Sequence, residues 1–205
     1  MERSSAPLVK DYTVRFLSCL IHCVLNYSQS IAKEGPFIQY RDERLGYTYN
    51  SGARKGFEAI DDGGVQLEWP RNKRQVALPE AKRSFQDITN GRPTVSDKLL
   101  GQIVGEALAS KLFKDCNIST ENVVSIVAVK YYIKFFHFNI TEGFVHRFET
   151  LLPTDENSDM AAYLQVHSTH WFDMREHTGR KYFVRHILGL VEWADASIIE
   201  TNMVG

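Results

Sequence analysis

A chain of 205 residues with 43% apolar and 24% charged side chains has the material for a packed core, which excludes a disordered or fibrous protein. Lys plus Arg is 24 against Asp plus Glu 25, a net charge of −1, so bulk positive charge is excluded as the means of holding nucleic acid or an anionic membrane. The three cysteines, Cys19, Cys23 and Cys116, are too few and too odd in number for a disulfide framework, and they fit an intracellular, reducing compartment.

In chain order, Leu8 to Ala32 predicts a first helix. Phe16, Leu17, Leu20, Ile21, Val24 and Leu25 cover a wide arc, and Cys19 and Cys23, four apart, extend it as small core residues. That width predicts a helix buried on several sides at the centre of the fold. Its apolar run, Phe16 to Leu25, is about half the length a bilayer requires, so no membrane span is expected. Asp11 before the run and His22 inside it argue against a secretory signal. Gly35-Pro36 ends the element.

Phe37–Tyr40 and Leu45–Tyr49 read as short strands on either side of a charged turn. Asp61-Asp62-Gly63-Gly64 is a turn, and Val65–Trp69 alternates like a half-buried strand. A short helix is expected to start at Pro79 and run to Phe85, because proline favours the first helical position. A second main helix spans about Val95 to Lys114, with Thr94 as its cap and Asp97 three residues on. Gly101, Gly105 and Ala109 form a small ridge along it. Each glycine costs about 1 kcal/mol against alanine in a helix interior, so close approach of another element is expected there.

From Val123 to Ile140 the odd positions (Val123, Ser125, Val127, Val129, Tyr131, Ile133, Phe135) form a nearly unbroken apolar face, which is a β period. The stretch is too long for one ordinary strand, so a bulge or a tight joint is expected near Tyr131-Tyr132 or Phe135-Phe136. Phe144, Val145, Phe148, Leu151 and Leu152 fit a helical face. Tyr163–Arg175 and Arg180–Trp193 read as a hairpin closed by His177-Thr178-Gly179. The expected architecture is one domain, residues 1–205, of the α+β class: two main helices packed on a predominantly antiparallel sheet from the C-terminal half.

No phosphate-cradling loop, dinucleotide fingerprint, zinc-protease helix or nucleophile elbow occurs, and no cofactor is expected. The ridge residues Tyr131, Ile133, Phe135, Phe136 and Phe138 would need a cover at a sheet edge, and a protein partner, often a second copy of the chain, is a natural one. The expected function is therefore non-enzymatic binding or assembly through protein–protein contacts, as a homo-oligomer. The alternative is nucleic-acid binding, with Arg71, Lys73, Arg74, Lys82 and Arg83 supplying charge and Trp69 a stacking face. The third reading uses the histidines, six of which fall between His137 and His186. In the expected hairpin His170 and His186 face each other, a geometry for metal binding, pH sensing or acid–base hydrolysis.

Overall fold

In the computed structural model, residues 8–49, 56–69, 72–85, 87–89, 92–113, 121–150 and 163–203 are described. They run α1 (Leu8–Ser28), β1 (Phe37–Arg41), β2 (Gly46–Tyr49), β3 (Phe57–Ile60), β4 (Gly64–Trp69), β5 (Asn72–Lys82), β6 (Ile88–Thr89) and β7 (Arg92–Pro93). There follow α2 (Asp97–Leu112), β8 (Asn122–Val129), β9 (Tyr132–Asn139), α3 (Glu142–Thr150), β10 (Gln165–Ser168), β11 (Phe172–Asp173) and α4 (His177–Met203). The protein is α+β. Its central sheet has the order β1-β4-β5-β8-β9-β10, with β11 also on β9, and only the β5–β8 pair is parallel. Three of these strands, β1, β4 and β5, come from the N-terminal half, so the sheet is not a product of the C-terminal half alone.

The apolar stretch after Asn122 is a hairpin. Val129 pairs with Tyr132 across a joint at Lys130-Tyr131, where Lys130 takes a φ of 56°. The joint shifts the parity. Ile126, Ala128, Ile133 and Phe135 face α1 and α4, while Val123, Val127, Val129, Phe136 and Phe138 face α2 and α3. Both faces are covered by the chain's own helices, which is why neither reads as polar.

α1 buries one stripe, Leu17, Ile21 and Leu25, rather than most of its circumference. Cys19 and Cys23 are exposed, as are Tyr12 and Tyr27, so the cysteines are not core residues. Gln29 joins the end of α1 to β1, its amide donating to Ile38 O (2.7 Å) and accepting from Ile38 N (2.8 Å).

The stretch from Pro79 is strand, not helix. Val76 to Ala81 is buried on both faces and therefore shows no alternation. Pro79 is tolerated because β4 stops pairing at Ala77, so no β4 ladder bond needs the missing N–H. α2 begins two residues later than expected: Ser96 is its cap, accepting from Leu99 N. At Gly101 and Gly105 an added Cβ would meet nothing within 4 Å, so no close approach requires them.

The largest departure is the C-terminal segment. Arg180–Trp193 belongs to α4, because Phe183, Ile187, Leu190, Val191 and Ala194 recur at helical spacing and all pack into the core beside α1. Gly179 is no hairpin residue. It lies in the first turn of α4, where a Cβ would come within 2.0 Å of Asp173 O.

Candidate functional site: the cleft between α4 and the β9–β10 edge

β10 is the edge strand next to β9, and it brings His167 directly opposite His137. The two imidazoles stack at 6.2 Å between centroids and 22° between planes. α4 crosses this face of the sheet but leaves a cleft of about 710 Å³ between itself and β8, β9 and β10. That volume lies within the roughly 300–1,000 Å³ of ordinary ligand sites. Phe135, Val124, Leu190 and Trp193 supply apolar wall; His137, His167, His186 and Arg185 supply the polar rim. Gly189 lies on the α4 wall, with open space where a side chain would project.

Two of the imidazoles have one ring nitrogen already engaged. His137 Nε2 donates to Asn122 Oδ1 at 2.8 Å, and His186 Nδ1 donates to Tyr182 O at 2.8 Å. A carbonyl oxygen only accepts, so the proton of each neutral ring is on the engaged nitrogen and the other nitrogen carries a lone pair. Burial, and then the neighbouring His167, hold His137 below the ordinary imidazole range.

His167-Ser168-Thr169 ends the edge strand in a local knot. Thr169 N–H donates to Phe135 O at 3.1 Å, and Phe135 N–H donates to Thr169 Oγ1 at 3.1 Å. Because ladder bonds alternate along an antiparallel strand, the N–H groups of His167 and Gln165 point the same way, towards β9. Those of Val166 and Ser168 then point outward, away from the sheet. All four residues of β10 are exposed, and no described strand lies on its outer side.

The expected His170–His186 pair does not form as a hairpin. His186 is on α4 and His170 in the loop before β11, with the Phe172 ring 4.8 Å from one and 5.1 Å from the other. Among the described residues no group of three His, Cys, Asp or Glu side chains could hold a metal ion. The interacting histidines are His137 and His167. Sequence reading counted both in the cluster but had no basis for setting β10 against β9.

The aromatic ridge is divided between the two cores. Ile133 and Phe135 are buried under α1 and α4, and Phe136 and Phe138 are buried beneath α2 and α3; of the four, only Phe135 and Phe136 reach the wall of the cleft. Tyr131 alone remains part-exposed, at the hairpin tip, where the Arg175 guanidinium lies 3.7 Å over its ring.

The basic segment is dispersed. Arg74 is buried and donates to Ala194 O and to Ser197 Oγ on α4. Lys73 pairs with Glu68, and Lys82 turns inward to Glu80 and Gln102. Trp69 packs partly against the α1 core, Arg83 is exposed, and Arg71 lies outside the described residues.

Fold and site together define an α+β protein with a histidine-rimmed cleft at a sheet edge. No helix among the described residues is long and apolar enough to cross a membrane. The chain matches no family model, no curated protein and no solved structure.

Proposed function

We propose that this chain is a non-enzymatic binding protein that takes up an extended segment of another protein chain along the outer edge of β10, beside α4. The observation that carries the reading is β10 itself: a four-residue edge strand, exposed throughout, bordering a cleft on one face. Strand addition supplies affinity through main-chain hydrogen bonds, and pockets for alternate side chains supply selectivity. The outward N–H groups of Val166 and Ser168 are the donors for such a strand. Every second side chain of the added segment would fall on the α4 side, over the cleft.

The test uses peptides selected from a random-sequence display library on the immobilised full chain. Val166→Pro removes an outward donor at an edge position, where proline is tolerated. The selected peptides are expected to bind wild type and to bind Val166→Pro at least about tenfold more weakly, while the urea midpoint of the variant stays at the wild-type value. A molecular mass in light scattering that rises with concentration, and stays monomeric in Val166→Pro, would make the segment's owner a second copy of this chain. Equal binding by the proline variant, or a library that yields no binder to a strict monomer, overturns the reading.

A further inference from the structure

The chemistry of the cleft says what the segment carries. Elsewhere in the fold three cations meet carboxylates, Arg41 with Asp61 at 2.6 Å, Lys82 with Glu80 at 2.7 Å and Lys10 with Asp62 at 2.9 Å, while the buried Arg74 and Lys134 donate to backbone carbonyls. In the cleft, Arg185 from α4 converges with His186 from α4, His137 from β9 and His167 from β10, and among the described residues no Asp or Glu lines it. The acids nearest in sequence, Glu121 beside Asn122 on β8 and Glu192 beside Trp193 on α4, are exposed and lie outside the lining. α1, the other element on this face, contributes no residue to the lining.

Resting on the reading of β10 as a docking edge, we infer that the captured segment bears an Asp or Glu side chain that enters among His137, His167, His186 and Arg185, two residues from an apolar side chain that seats on Phe135, Leu190 and Trp193. Residues i and i+2 of a strand share a face, so one segment supplies both. His137 and His186 each keep one ring nitrogen clear of their internal hydrogen bond. On a neutral ring that nitrogen is an acceptor and disfavours a carboxylate. A proton turns it into a charged donor, and charge-assisted bonds to carboxylate are the stronger kind. While the cleft is empty, burial and then the His167 ring stacked 6.2 Å away disfavour the charged form of His137. An entering carboxylate removes that obstacle. Capture therefore takes up protons, and affinity rises as pH falls, until the segment's own acid is protonated near pH 4.

The probes are a fluorescein-labelled library-selected peptide and its analogue with the acid replaced by Gln or Asn, measured by fluorescence anisotropy on the full chain at pH 7.5 and 5.5. The acidic peptide is expected to bind about tenfold more tightly at pH 5.5, the effect of one unit of pKa shift on binding. The neutral analogue and the triple variant His137→Gln/His167→Gln/His186→Gln should lose that pH dependence. Gly189→Leu, which meets no clash where its Cβ would stand, should fill the cleft and weaken the acidic peptide at both pH values without lowering the urea midpoint. Selected peptides free of Asp and Glu, or equal binding of peptide and analogue at both pH values, overturn this inference and leave the docking edge in place. Peptides indifferent to Val166→Pro overturn both.

Discussion

Between the β3–β4 turn and α2, charges are buried and matched to one another, whereas under α4 three imidazoles and a guanidinium face an open cleft that no carboxylate among the described residues lines. In the first region Asp61 is 1% exposed and accepts from Tyr47 OH (2.6 Å), Leu45 N (2.9 Å), Gly63 N (3.2 Å) and the Arg41 guanidinium (2.6 Å). Asp62 meets Lys10 and accepts from Ala81 N; Glu80 meets Lys82, and Gln102 bridges Glu80 to Glu106. Desolvation of each ion is offset inside the chain, so the network closes the fold and has little left to offer a ligand. In the second region the groups are wet and keep hydrogen-bonding capacity unspent. The same residue classes thus serve structure where they are dry and paired, and recognition where they are open.

Removing a member of the closed network should have the largest consequence. Asp61→Ala leaves the half-buried Arg41 without its carboxylate and removes the acceptor of the Tyr47 hydroxyl, with an expected loss of about 3–5 kcal/mol in urea unfolding. A loss below about 1 kcal/mol would mean that the network does not hold the fold together.

Glu106 is the weak point of the network. Burial first, and then Glu80, push its carboxyl up to about 8, and its Oε2 meets no partner among the described residues. The folded state therefore keeps a proton that the unfolded chain releases above about pH 4.5. This contribution to stability is fully present below that pH and is lost as pH rises towards 8. Glu106→Gln should flatten the decline and be more stable than wild type by on the order of 2 kcal/mol at pH 8, with a far smaller difference at pH 5. Parallel pH profiles of the two proteins would contradict the assignment.

The smallest effect lies on the outer side of α2. Gly105→Ala adds a methyl group to open space in a helix interior and should raise stability by about 1 kcal/mol, read as a higher urea midpoint with unchanged slope. A decrease would reveal a neighbour within reach of the added methyl group.

Much of the fold was legible where the local pattern matched the local environment. β1, β2, β4 and α2 fall within a residue or two of their expected bounds, and the turn before β4 lies where Asp61-Asp62-Gly63-Gly64 demanded one. The apolar period of residues 123 to 138 required β structure with a joint, and the joint at Lys130-Tyr131 is there. β5 was not legible, because a strand buried on both faces loses its alternation. α4 was misread because a helix with exposed Tyr182, Val184 and Leu188 on one side and buried Phe183 and Ile187 on the other imitates alternation over a short window.

Composition, turn chemistry and hydrophobic period by themselves determined that this is an α+β chain, with its first two helices near their expected places and a β-structured segment at 123 to 139. The tertiary structure alone decided that both sheet faces are covered, that the aromatic ridge is core, and that His167 stands opposite His137. The physical reason is range. Periodicity reports what a residue's own neighbours bury, but the cleft is made by a strand, a hairpin and a helix drawn from widely separated stretches, and nothing local in any of them specifies the register that brings them together.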